Sequence, residues 1–259
     1  MKKQRDYGAV VSELEALSRE IPGLSLERLG VLRAASLRYD FYFLTLGIGG
    51  KEVCLSGGIH GDEPAGVEAI LEFLRRARIN QSLLSHFRFT VFPCNNPYGY
   101  EHDVRRNASG LDLNRQYAKA RPPAEVRMIK SVLDGRRFEL SMEFHEDVDS
   151  DGYYLYEICA DAERLVGEEI VQRISRRWPI NLHAEIEGAP SRRGVISPDI
   201  AGEFFRRRVS RGRQWPQALW LNQNGVRHCI TSETPVGHPA KERVEIHLTA
   251  LQVALEHLK

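Results

Sequence analysis

The sequence predicts an α/β chain folded as a three-layer α/β/α sandwich, with a mixed, mostly parallel sheet and helices on both faces. Two observations predict it. Segments of helical spacing and segments of strand spacing alternate along the whole chain, and residues able to do chemistry fall where strand-like runs end. Alternating helices and strands bury their apolar sides best as a sheet covered on both faces.

The elements follow in order. A helix is expected from about residue 8 to 20, and strands at 41–47 (FYFLTLG) and 52–58 (EVCLSGG). From Pro64, PAGVEAILEFLRRAR sets Val67, Ile70, Leu71 and Leu74 on one helical face, with proline in the first turn, where its missing N–H does no harm. FRFTVFPCN reads as a strand, AEVRMIKSVLDG as a helix, FELSMEFH and GYYLYEIC as strands, and AERLVGEEIVQRISRRW as a helix. QALWLNQNG is expected as a short helix, VRHCITSE as a strand and PAKERVEIHLTALQVALEHLK as the closing helix. No repeat, low-complexity tract or Gly/Ser linker divides 1–259, so a single domain is expected.

Composition narrows the function classes. With 42% hydrophobic and 27% charged residues, the chain has the make-up of an ordinary globular domain rather than a disordered or membrane protein. Its 36 basic and 35 acidic residues leave a formal charge of +1, so no global field points to nucleic acid or a membrane as partner. The start, MKKQRDYGAVVSELEALSRE, lacks the apolar run of a signal peptide or membrane span, and a cytoplasmic protein is expected. Cys54, Cys94, Cys159 and Cys229 form no CxxC pair and are expected reduced and mostly buried. The basic run FFRRRVSRGRQW at 204–215 is one short patch in a neutral chain; it reads as a solvated loop at the rim of the site, open to an anionic substrate, rather than a nucleic-acid surface.

His60 and Glu63 lie in HGDEP, on a strand-to-helix loop, His145 closes a later strand, and Glu233 sits in ITSETP at the end of a third. A catalytic zinc takes three such ligands and leaves a fourth position for water. HxxE alone is a common accident. Its context adds weight, since Ser56, Gly57 and Gly58 just before it are small enough to let backbone and metal loop approach closely. A buried carboxylate at 233 needs a partner, and water at a metal is a natural one. Glu143, Glu146, Asp147, Asp149 and Asp151 crowd around His145 without the spacing of a calcium loop; they read as a solvated acidic loop able to repel acidic substrates. His183, His228 and His238 have no partner at a telling spacing.

GGIHGDEPAG (57–66), NPYGYEHDVRRNASGLDLNRQY (96–117), the strand ending at His145 and TSETP (231–235) occur in an order that resembles the zinc carboxypeptidases over roughly 40–240. The likeness is greatest to compact bacterial members of the murein peptide amidase A type. The resemblance implies one zinc per chain held by His60, Glu63 and His145, with Asp112 orienting His60. It implies Asn114 and Arg115 as the grip on a free carboxylate, and Arg105 as the group that polarises the carbonyl and stabilises the oxyanion. Arg106 is the competing arginine, and the RxN spacing fits Arg105. Glu233 is implied as general base, passing the proton to the leaving amine.

The implied activity is removal of a C-terminal residue from a peptide, cell-wall fragments included. The related aspartoacylase and succinylglutamate desuccinylase branch shares the metal set and DLNR, and implies deacylation of an N-acyl amino acid as the alternative. RxNAxG ahead of DLNR favours the peptidase. An inactive module that binds zinc and peptide is the third reading, opposed by the full set of catalytic groups. In each reading the partner is a small peptide or N-acyl amino acid with a free carboxylate. Two departures stand out: no tyrosine occurs between Tyr156 and Glu233, where these carboxypeptidases carry a mobile capping tyrosine, and no pro-segment or secretory signal is evident, which implies an intracellular substrate.

Overall fold

The computed structural model describes residues 4–159, 161, 164–210 and 214–258. Helix α1 (Tyr7–Glu20) begins at Asp6, whose carboxylate accepts from the Gly8 and Ala9 amides, satisfying donors that the first helical turn leaves open. A hairpin follows, β1 (Ser25–Ala34) and β2 (Leu37–Leu46), then β3 (Lys51–Gly57), α2 (Pro64–Ala77), α3 (Gln81–His86), β4 (Phe87–Phe92) and α4 (Pro97–His102). A 3₁₀ turn at Leu113–Arg115 leads to α5 (Ala124–Leu133), β5 (Leu140–Asp147), β6 (Tyr154–Cys159) and α6 (Gly167–Ile174). The short strands β7 (Glu185–Ile186), β8 (Ala189–Pro190) and β9 (Val195–Ile196) precede α7 (Pro198–Ser210), α8 (Gln217–Gln223), β10 (His228–Pro235) and α9 (Ala240–Leu258).

The main sheet runs β1-β2-β4-β3-β5-β10-β6-β9. Its centre, β4-β3-β5-β10, is parallel, while β2/β4 and β6/β10 are antiparallel. The expected mixed, mostly parallel sheet is therefore what forms, covered on both sides. Phe144, Ser232 and Thr234 point to the α2/α9 side: Gly66 of α2 packs against Phe144, and His247 of α9 bonds Ser232 and Thr234. Ser56 points the other way, to Gln217 of α8. No helix among the described residues is long and apolar enough to cross a membrane.

Pleating then decides what shares a face. Ser56, Glu143 and Thr231 stand side by side in register, as do His145 and Glu233, and Glu233 in turn faces Tyr154. Ser141, Glu143 and His145 thus line up with Cys229, Thr231 and Glu233, and with Tyr154, Tyr156 and Ile158, on the α8 side of the sheet. All four cysteines are free thiols, three buried and Cys159 half-buried, as expected.

Two sequence expectations fail here. Of 204–215, read as a solvated loop, residues to Ser210 belong to α7, and 211–213 lie outside the described residues. The helix is held against β6 by its own aromatics: Phe204 stacks on Tyr156, and the Arg208 guanidinium lies 4.9 Å over the Phe204 ring. The acidic group around His145 is a solvated loop only at Asp149 and Asp151, which are exposed beyond the end of β5; Glu143, Glu146 and Asp147 belong to the strand itself. Glu143 is 1% exposed and Glu146 5%. Glu146 accepts from the Ala65 amide at the start of α2 and pairs with Arg243 of α9, partners that replace the lost water.

Candidate metal centre and active site

The end of β3 and the start of α2 build the first part of the site. Gly57 passes so close to α2 that a Cβ would lie 2.6 Å from the Gly66 carbonyl oxygen, and Gly58 adopts φ +63°. Both positions need glycine, for space and for the left-handed backbone respectively. The turn they permit lifts His60 and Glu63 over the sheet, with Glu63 directly before the first turn of α2. The N-terminal segment fastens this loop from outside, as Arg5 donates to the Gly61 and Tyr100 carbonyls and pairs with Asp103.

Glu63 is the meeting point. Its Oε1 lies 2.6 Å from His60 Nδ1 and its Oε2 2.8 Å from His145 Nδ1. All three side chains are buried, and one ligand atom from each lies within 4.8 Å of the others. Two imidazole nitrogens and a carboxylate converging at this range form a donor set suited to a divalent transition ion, whose bonds to such atoms run about 2.0–2.2 Å. On His60 the outer nitrogen, Nε2, sits 3.2 Å from Asp112 Oδ1, the carboxylate contact that fixes ring orientation in metal sites. The residues present fit a metal.

DLNR works as one capped turn. Asp112 Oδ1 accepts from the Asn114 amide, so the same carboxylate caps the 3₁₀ turn and faces His60. Upstream, Asn107 Oδ1 accepts from the Ser109 and Leu111 amides and its Nδ2 donates to Glu125, which shapes the RNASG loop. The two competing arginines diverge. Arg105 reaches Glu63 Oε1 and Asp112 Oδ2, both at 3.3 Å, whereas Arg106 donates to the Gly110 carbonyl. Arg115 donates to the Asn114 carbonyl. The Asn114 carbonyl oxygen of the side chain accepts from the Gln217 amide, which leaves its NH₂ as the free end.

These residues open onto a cleft of about 140 Å³, lined by His60, Glu63, Arg105, Asn114, Arg115, His145 and Glu233 among others. Its far wall is aromatic and comes from β6 and α7: Tyr154, Tyr156, Phe204 and Phe205, with Arg208 and Glu187 beside them. Where the sequence offers no capping tyrosine, α7 supplies the wall. Sequence reasoning missed this because the strand spacing of Tyr154, Tyr156 and Ile158 gives their common face only once β6 is paired with β10. It also missed Gln217, fully buried, which bonds Ser56, Asn95, Tyr117 and Asn114 together. His228, without a telling spacing, pairs with Glu157, whose carboxylate also accepts from the Val166 and Gly167 amides.

Charge follows geometry. Burial pushes the Glu63 carboxyl up, but the adjacent His60 and His145 outweigh it and bring it down to about 2. Burial alone would lower His145; the charges of Glu63 and Glu233 and the contacts with Glu143 and Glu63 hold it well above an ordinary histidine. Asp112 is likewise penalised by burial and drawn below the usual carboxylate range by His60 and Arg105. Glu233 keeps partial contact with the cleft, yet burial pushes its carboxyl up to about 8, with His145 opposing and Glu63 and Asp147 adding to the rise.

A stability slope follows for the metal-free protein. The fold favours neutral Glu233 and protonated His145, so both contributions are fully present below their ordinary values of 4.5 and 6.5 and fade as pH rises toward about 8 and beyond. The metal-free melting temperature is expected to fall between pH 5 and pH 8, and Glu233→Gln to flatten part of that fall. Thermal melts at the two pH values check it, and a temperature that climbs instead contradicts these shifts.

Residues 49–175 match the family described as the succinylglutamate desuccinylase/aspartoacylase catalytic domain. The chain is 33% identical over 98 residues to carboxypeptidase 2 of Trichophyton tonsurans, a match taking in 36% of this chain and 18% of that protein's length. A Shewanella amazonensis structure provisionally assigned as a metallopeptidase superposes with a TM-score of 0.78 at 23% identity, over 97% of this chain and 92% of that one. Bovine thrombin-activatable fibrinolysis inhibitor, solved with tick carboxypeptidase inhibitor, gives 0.72 at 18% identity, over 98% and 97%. These structural likenesses establish a shared fold.

Proposed function

We propose that the chain, a member of the zinc metallocarboxypeptidase-like family related to the aspartoacylase branch, is a zinc-dependent hydrolase that removes the C-terminal residue of a peptide, with residues 1–259 as one catalytic domain. The observation that carries this reading is the Glu63 carboxylate spanning His60 and His145, with Glu233 in register beside His145 on the next strand.

His60, Glu63 and His145 hold one zinc per chain. Bound there, zinc polarises a carbonyl and makes a water more acidic. Asp112 orients His60. Asn114 and Arg115 grip the substrate's free carboxylate, the arginine through the paired donors of its planar fork, and so place the last peptide bond next to Glu233. The Glu233 carboxylate takes a proton from the attacking water and delivers it to the departing nitrogen. Arg105, already at the edge of the metal cluster, stabilises the negative charge that grows on the carbonyl oxygen.

Deacylation of an N-acyl amino acid is the second reading, favoured by the family match over 49–175. Both substrates end in a carboxylate, so the grip is common and the scissile acyl group differs. The test is a parallel assay of zinc-loaded protein on peptides with free C-termini, the same peptides amidated, muropeptides and N-acyl amino acids. The peptidase reading expects turnover of free-ended peptides, weak turnover of amidated ones, and in Arg115→Ala a KM raised by about tenfold or more, the effect of losing one charged hydrogen bond. Turnover confined to N-acyl amino acids moves the assignment to the deacylase. Zinc binding with no turnover on any of them leaves a binding module.

A further inference from the structure

Glu143 is buried to 1% exposure in the middle of the parallel sheet, between Ser56 and Thr231 in register, and neither of its carboxyl oxygens has a hydrogen-bond partner. A carboxyl group in that position is costly unless something answers it. The polar atom it faces is His145 Nε2, 3.6 Å from its Oε2, itself buried and without a hydrogen bond. The two residues are one pleat apart on the same face of β5, so strand geometry holds them in line.

His60 provides the comparison within the same site. One of its ring nitrogens meets Glu63 and the other meets Asp112. His145 meets Glu63 through Nδ1 and turns Nε2 toward Glu143. We propose that Glu143 is the positioning residue for His145, accepting from Nε2–H so that Nδ1 keeps its lone pair for the metal, as Asp112 does for His60. This rests on the metal reading of His60, Glu63 and His145. It also accounts for a buried acid that does not reach the substrate cleft: its role is exerted through an imidazole, and no contact with the reacting atoms is needed.

The experiment compares zinc affinity, by competition with a chelator, and the stability of the metal-free protein in Glu143→Leu and Glu143→Gln. A partner of this kind is worth roughly 10–100-fold in metal affinity. Glu143→Leu is expected to weaken zinc by that factor while the metal-free protein melts no lower, because an unanswered buried acid has been removed. Glu143→Gln, which keeps an acceptor oxygen, is expected to lose less. Unchanged affinity in Glu143→Leu overturns the proposal, and so does a parallel loss of affinity and metal-free stability, which marks a purely structural residue. If that variant does not fold, nitrogen-15 spectra of the unmutated zinc-loaded protein decide: a slowly exchanging proton on His145 Nε2 supports the proposal, and a proton on Nδ1 overturns it. An unmutated chain that binds no divalent ion overturns the metal reading and this proposal together, an outcome distinct from a failure of Glu143 alone.

Discussion

Glu233→Gln is expected to lower kcat by about 10²–10⁴-fold, the range over which a positioned acid or base contributes, while the metal content stays at one ion per chain. Two features of the site separate the effects. Glu233 is not part of the group whose ligand atoms converge within 4.8 Å, which is His60, Glu63 and His145, so exchanging its carboxylate for an amide leaves every proposed ligand in place. It nevertheless stands opposite His145 in the β5/β10 register and lines the same cleft, close enough for its charge to help raise His145. Glutamine preserves the shape and removes the basic oxygen. Because Asn114 and Arg115 lie on a separate loop, KM should stay within a few-fold, so the loss falls on the chemical step. The measurement is kcat beside zinc stoichiometry in the same preparations. A variant that hydrolyses at the unmutated rate removes Glu233 from the chemistry, and one that arrives without metal shows that the carboxylate has a ligand's part instead.

Much of the site was legible because strand ends and turn residues carry local signals. Ser56, Gly57 and Gly58 announce a tight approach, Pro64 announces the start of α2, and both hold in the structure. The mixed, mostly parallel sheet and its helical cover also follow from alternation, whereas the strand order does not. What the sequence concealed depends on partners far along the chain. The hairpin strand β1 reads as SLERLGVLRA, with only Leu32 buried, so it lacks the alternating pattern that makes an inner strand visible. Glu143 and Glu146 looked solvated because charged side chains are rarely buried without partners; the partners of Glu146, the Ala65 amide and Arg243, lie on other elements, and Glu143 is enclosed by Ser56 of β3 and Thr231 of β10 while facing His145 of its own strand. Period-two spacing does put Glu143 and His145 on one face, and that was the signal available. Helix α7 was hidden for a different reason. Its arginines suggest solvent, while Phe204, Phe205 and Ala201 pack with Tyr154, Ile186 and Ile196 into a small second core that exists only once β6, β7 and β9 are in place.

Zinc itself is expected to have the largest effect on stability. At a free concentration a thousand times its Kd, a ligand bound only by the folded state adds about 4.1 kcal/mol; with about 2–4 °C per kcal/mol for a chain of this size, the melting temperature should rise on the order of 10 °C. Glu63→Gln should abolish that rise, because the carboxylate joins the other two ligands and an amide is a poor donor to the ion. The effect should also depend on pH with a definite sign. In the metal-free protein His145 holds its proton more tightly than an ordinary histidine, and a metal needs that imidazole neutral, so binding must expel a proton. Affinity and stabilisation therefore shrink as pH falls from 8 to 6. Titration calorimetry in buffers of different ionisation enthalpy reads the proton directly, and melting curves with and without zinc read the stabilisation. A shift that persists in Glu63→Gln would place the ion elsewhere on the molecule, since the remaining imidazoles would have lost the carboxylate that brings His60 and His145 to a common point.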